Sequence, residues 1–530
     1  MVSVGKTMRK RQGIWVLAML AFALGAARAQ DTAASSSDGS PQDNSQASPQ
    51  QPIPGYGEGA QIPPFEENPP ISGLDQPGLE PHGAPLSYLQ PGATISESVD
   101  SNIENSTGSQ AVHSISRGLG SLELQRLWSH YDLAMQYVGG VAYYNQKDLG
   151  WKALQQMDLD QKITWKRGQL ALRDSFSYLP EGNFGAAYGS LGSQGIASLG
   201  DTSFGTFWGG ANLGTLGLVS RITNVSIADM SENLTPKSTV TAAGGYAVTH
   251  FYGTEPNPVA ATLPPIALLN NTQVSAQGGY DRILSSRTQV AMVYGYQGFD
   301  FSSFGTSFHS HVILGMYGHR ISGKMDFLIG AGPQITDTTV ACSATNFETS
   351  HCSLGPTGIV GSIPDRRLGV AGRMRLRYQF TRTSVDLSYQ RFETSGSGLF
   401  AGAQTDLAVL SAERRLTRVW NLNADLGYSR NSRLLQLNNA QLQTCNSGVG
   451  VGKIGLQPCP LNANTYTYGF AGLALHRSFG HNFHGFVSYQ FNELSFDNSY
   501  CAGLPTCSRI GNRSVGTIGL DWIPRPIRID

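Results

Sequence analysis

From Tyr131 to Trp522 side-chain character alternates with a period of two over segments of about ten residues, which in a strand sends successive side chains to opposite faces. Trp420, Leu422, Ala424, Leu426 and Tyr428 alternate with Asn421, Asn423, Asp425 and Gly427. Met374, Leu376, Tyr378 and Phe380 alternate with Arg375, Arg377 and Gln379, and Arg373 precedes them on the polar phase. Val385, Leu387 and Tyr389 alternate with Asp386, Ser388 and Gln390. Phe483, Val487, Tyr489 and Phe491 alternate with His484, Ser488, Gln490 and Asn492. One face is apolar and aromatic; the other is wet.

Short turn signals recur at Leu234–Lys237, Leu284–Arg287, Arg320–Lys324, Phe380–Thr383, Leu416–Val419 and Ser478–Asn482, with longer irregular stretches between them. Strands of the length a tilted membrane strand requires fit about sixteen times between Tyr131 and Trp522, with every short turn on one side. The pattern predicts an all-β chain, a transmembrane antiparallel up-and-down β-barrel. A soluble sandwich or solenoid would alternate as well, but it would carry a charged outer surface. Here charged residues are 14% of the chain, against about 25% in ordinary soluble domains. After residue 29 no apolar run approaches the roughly 20 residues of a spanning helix, which excludes a polytopic helical transporter.

The formal net charge of zero, from 37 basic and 37 acidic residues, hides a segregation. Residues 1–29 carry Lys6, Arg9, Lys10, Arg11 and Arg28, an apolar run from Ile14 to Leu24 and small residues at Ala27 and Ala29, the layout of a cleavable export signal. Residues 30–110 hold 11 acidic residues and no Lys or Arg, with 12 of the 26 prolines. Such a composition predicts a disordered, acidic periplasmic tail. Residues 111–530 then hold 37 − 5 = 32 basic and 37 − 11 = 26 acidic residues and form the barrel. The tail is read as a solvated spacer; a second possibility is that its negative charge enters a basic lumen mouth. The less polar stretch Leu86–Ile95 could dock.

The six cysteines fall into three local pairs, Cys342 with Cys352, Cys445 with Cys459 and Cys501 with Cys507, all on the long-loop side. Local disulfides are the natural reading in an oxidising compartment. No CxxC spacing with His partners supports a metal site. Arg373, Arg375 and Arg377 share the polar phase and would form a basic ladder in the lumen, a feature that favours anions in a pore. Charge partners could neutralise the row in part: Asp386 comes opposite Arg377 across the next turn, and Lys324 and Asp326 occupy the polar face of the adjacent strand. Asp158, Asp160 and Lys162 share a face with Arg173. The glycine-rich, aromatic stretch Glu181–Ser220 could fold inward as a constriction. No GxSxG, HExxH or GxxxxGK[ST] spacing is present, so no catalytic residue, cofactor or nucleotide is expected, and no basic aromatic platform suggests nucleic acid.

Ser121–Tyr144, Leu170–Gly182, Gly330–Gln334 (GAGPQ) and Gly519–Pro526 (GLDWIPRP) carry a further likeness. Through them the sequence resembles a family of uncharacterised, porin-like outer-membrane β-barrel proteins of Gram-negative bacteria. The resemblance implies a barrel in the outer membrane with both termini in the periplasm. The expected function is a passive channel for small solutes; the alternative is a non-conducting structural or interaction barrel serving polysaccharide export or adhesion. Expected partners are outer-membrane lipid, small solutes and further copies of the chain.

Overall fold

The computed structural model describes residues 70–72, and residues 87–529 apart from 105, 108–110, 146–149, 180–218, 253–265, 304, 343–349, 356–357, 397–398, 435–463, 499 and 501–507. Its strands are β1 (Tyr88–Asp100), β2 (His113–Leu127), β3 (Tyr131–Tyr144), β4 (Gly150–Trp165), β5 (Gly168–Leu179), β6 (Arg221–Thr235) and β7 (Ser238–Phe251). There follow β8 (Asn271–Ser285), β9 (Thr288–Phe301), β10 (Thr306–Ser322), β11 (Met325–Ala341), β12 (Cys352–Gly355), β13 (Gly358–Gln379) and β14 (Thr383–Thr394). The last are β15 (Ala403–Arg415), β16 (Trp420–Arg433), β17 (Thr465–Phe479), β18 (Phe483–Phe496), β19 (Ile510–Trp522) and β20 (Ile527–Arg528).

All but β12 and β20 form one closed antiparallel barrel of 18 strands. Successive barrel strands pair with each other, and β1 closes the ring on β19 from Ala93↔Trp522 to Asp100↔Val515. Closure leaves no strand edge of unpaired N–H and C=O groups, the condition for crossing hydrocarbon.

The barrel has two strands more than the alternation predicts, because β1 and β2 precede Tyr131. Moreover β1 falls within residues 30–110, the stretch that composition assigns to the tail. It contains Pro91, Gly92 and mostly small or polar residues, so its own propensity is poor. Its order comes from pairing on both sides, with Tyr88↔Gln125 on β2 and Ala93↔Trp522 on β19.

Connections of a few residues at 128–130, 166–167, 236–237, 286–287, 323–324, 380–382, 416–419 and 480–482 gather at one end, together with Tyr88 and Trp522. This is the short-turn end; the opposite long-loop end carries the remaining connections. The outward phase is the predicted one on all four strands cited above. Ile95, Met292, Val487 and Ile518 on it are each more than half exposed. Trp128, Trp165, Phe380, Phe483 and Trp522 ring the short-turn end of this apolar band. Tyr246, Tyr294, Tyr428 and Tyr489 stand farther along their strands and are also exposed, roughly 20 Å away at the rise and tilt of barrel strands. Two aromatic girdles around an apolar belt are the outer surface of a transmembrane barrel.

Candidate functional site

The inward phase turns polar residues to the lumen. Gln90, Gln136, Gln156, Gln273, Gln297, Gln334 and Gln490 are buried there among Ser and Thr side chains. Eighteen strands enclose a space wide enough for an aqueous channel unless something fills it.

The arginine row on β13 faces this space. Ala371, one step up the same phase, is buried against other inward side chains, whereas Leu368 and Val370 on the other phase are exposed. Asp326 of β11 lies opposite Arg377 in register and receives its guanidinium, with Nε–Oδ1 at 3.0 Å and a second bond from Nη2 to Oδ2. Asp386 of β14 is also opposite Arg377, yet its carboxylate goes one step along the row to Arg375, at 2.6 Å. Arg373 continues the row opposite Gly330 and Gln390. Lys324 does not join it: it occupies the tight turn 323–324 and is exposed, because β11 starts only at Met325. The ladder is therefore largely a chain of ion pairs.

On β4 and β5 Asp160 and Arg173 lie opposite each other and bond at 3.2 Å, and Arg173 also reaches Asp229 of β6 at 3.3 Å. Asp229 is not among the sequence candidates, although it lies on the inward phase of β6. Asp158 faces the lumen but is held by Ser175 Oγ and by Gln156 Nε2, the latter at 2.9 Å. A missed pair closes the ring: Arg513 of β19 and Asp100 of β1 are 1% and 0% exposed, with Nε–Oδ2 at 2.9 Å. Beside it Asp100 accepts the Asn102 N–H at 2.9 Å and Arg117 donates to Ser98, while at the short-turn end of the same seam Thr94 donates to Asp521 at 2.6 Å.

At the long-loop end the lumen changes character. One buried apolar cluster takes Phe251 from β7, Phe299 and Phe301 from β9, Phe308 from β10, Tyr466 and Tyr468 from β17, and Leu494 and Phe496 from β18. The connection between β14 and β15 joins the two arcs from inside. Phe400 lies 5.1 Å from the Tyr466 ring, while at Gly402 an added Cβ would stand 2.7 Å from the Phe308 ring. Gly396 and Gly402 have φ of 86° and 82°, which lets the chain turn inward at both ends of this connection. Arg433 of β16 covers the Phe400 ring at 5.1 Å. The described loop residues that fold inward are thus 395–396 and 399–402. The stretch Glu181–Ser220 lies almost wholly outside the described residues.

Cys342 and Cys352 form a disulfide with Cα atoms 5.8 Å apart, tying the end of β11 to β12. Cys445, Cys459, Cys501 and Cys507 lie outside the described residues. Among the described residues no group of three or more His, Cys, Asp or Glu side chains could hold a metal ion.

No protein-family model and no curated protein matches the sequence. Among solved structures, a Pseudomonas aeruginosa OccK2 (OpdF) covers 82% of this chain and 98% of its own at 9% identity and a TM-score of 0.36. A BenF-like porin from Pseudomonas fluorescens Pf-5 covers 83% and 99% at 7% identity and a TM-score of 0.38. The Pseudomonas aeruginosa OpdK solved with vanillate covers 82% and 98% at 7% identity and a TM-score of 0.35. The barrel assignment rests on this chain's own strand ladders, and likenesses of this size carry no argument on solute or mechanism.

Proposed function

We propose that the chain is an outer-membrane channel for small solutes, narrowed rather than wide open. The observation that carries this is the opposition of the two faces on one closed ring: an apolar, aromatic-girdled exterior and a lumen lined by Gln, Ser, Thr and paired charges. A barrel that served only as an anchor would gain nothing from a hydrated interior. Lipid is the partner of the outer belt, and the compartment is the outer membrane of a Gram-negative cell, with the short turns and both barrel termini on the periplasmic side. Because Arg375 and Arg377 are neutralised by Asp386 and Asp326, the ladder gives a weak anion preference.

Planar-bilayer recording of the purified protein tests this reading, with discrete single-channel steps expected. The non-conducting alternative is favoured by one observation, the aromatic cluster at the long-loop end. Absence of steps both in the parent and after removal of residues 397–401, with the barrel folded, would establish that alternative.

A further inference from the structure

Pro70–Ser72 lies inside the barrel toward the short-turn end, against the inner wall of β7, β8, β10 and β11. Ser72 is fully buried. Its carbonyl accepts hydrogen bonds from Gln277 Nε2 at 2.7 Å and Thr241 Oγ1 at 3.0 Å, and its hydroxyl stands 3.0 Å from the Thr241 hydroxyl. The Ile71 N–H donates to Asp281 Oδ2 at 2.9 Å. Thr241, Gln277 and Asp281 are all inward and buried.

The wall is also shaped for this segment. An added Cβ at Gly279 would stand 2.7 Å from the Ser72 Cβ and 3.2 Å from its carbonyl oxygen. One at Gly318 would stand 3.3 Å from Ile71 Cγ2. Two missing side chains thus make the cradle. The Ile71 side chain packs onto a buried inward patch that includes Val312, Leu314 and Met316, apolar residues that a water-filled lumen has no reason to display.

What the wall binds is chiefly main chain, the Ile71 and Ser72 N–H groups at Asp281 and the Ser72 C=O at Gln277 and Thr241, with the Ser72 hydroxyl and the Ile71 side chain adding to it. Charge is not what holds the segment, since these three residues carry none and the wall contributes a carboxylate. An acidic tail drawn to a basic mouth does not describe these contacts. Ser72 and Ser87 stand on opposite walls. Ser87 adjoins β1, where it accepts the Leu127 N–H, and β8 and β10 are seven and nine steps away around a ring of 18 strands.

We propose that Thr241, Gln277, Gly279, Asp281 and Gly318 form a binding site for a short peptide segment in a turn, held largely by its main chain. Residues 70–72 fill it in cis, which places these three residues in the lumen as a displaceable obstruction. The binding stands on geometry alone; the obstruction of current rests on the channel reading. The test is a cysteine pair, Ser72→Cys with Thr241→Cys, in the full chain in membranes, mapped by mass spectrometry without reduction. Ser72→Cys with Ser488→Cys, an inward position on the far wall, is the comparison. The 72–241 bridge should exceed the 72–488 bridge about tenfold, as a tethered thiol held beside its partner requires. Adding Gly279→Val, which fills the cradle while suiting a strand, should bring the two to the same level, and Gly279→Val alone should raise single-channel conductance. Equal bridging in the two pairs overturns the site, whatever the current does. Selective bridging with a conductance that Gly279→Val leaves unchanged overturns the obstruction. Selective bridging in a barrel that carries no current in any variant overturns the channel reading and leaves the site standing.

Discussion

The two mouths of this barrel are narrowed by different chemistry. At the long-loop end Phe400 and its neighbours bury an aromatic cluster reaching from β7 to β18, so closure there is part of the packing that stabilises the fold. At the short-turn end a tripeptide is held by hydrogen bonds to three side chains and by the space at two glycines. Removing the first should cost stability; removing the second should change only passage. A loop built into the core is a fixed constriction, whereas a main-chain ligand held by a few polar contacts can leave.

The largest effect is expected at the seam beside the long-loop mouth. Arg513→Ala leaves Asp100 buried without its guanidinium, a loss of about 3–5 kcal/mol by the cost of breaking a buried ion pair. Denaturant unfolding in micelles should show it, and a midpoint like the parent's would place the closure energy elsewhere. Phe400→Ala should follow, with a loss of about 3–5 kcal/mol from the cavity it leaves and a raised conductance. If conductance rises with no loss of stability, the aromatic cluster is not a structural core and the contrast between the mouths fails. Asp281→Ala removes one charge-assisted acceptor at the other mouth. The barrel should keep its unfolding midpoint within about 1 kcal/mol, since the ladder hydrogen bonds remain, while protease access to the region around Ser72 increases. The smallest effect belongs to the ladder. Arg375→Ser takes one guanidinium from the lumen beside Asp386, so the bilayer reversal potential should move slightly toward cations; a large move would show that Arg375 is not neutralised.

The outer half of this architecture is legible in the sequence because lipid imposes the period of two on every strand. The inner half is legible only in part. Arg377 and Asp386 could be placed opposite each other from the turn between them, but which carboxylate each guanidinium takes depends on Asp326 of β11, contributed from more than fifty residues away. The aromatic cluster does leave a trace. In β9 the apolar phase is Tyr294 and Tyr296 outward, then shifts to Phe299 and Phe301 inward; in β18 it passes from Tyr489 and Phe491 to Leu494 and Phe496. Each shift marks the height at which the outside stops being lipid and the inside stops being water. A strict alternation rule reads it as noise. Residues 70–72 leave no trace, since the wall binds their main chain and any proline-rich stretch looks alike.

The central claim is that the barrel is a channel with two restrictions, one fixed and one displaceable. Single-channel conductance of the parent and of the Gly279→Val Phe400→Ala double variant tests it most directly. The account predicts discrete steps in both, larger in the double variant than in either single change. Silence in all of them, with the barrel shown to be folded and inserted, would contradict it.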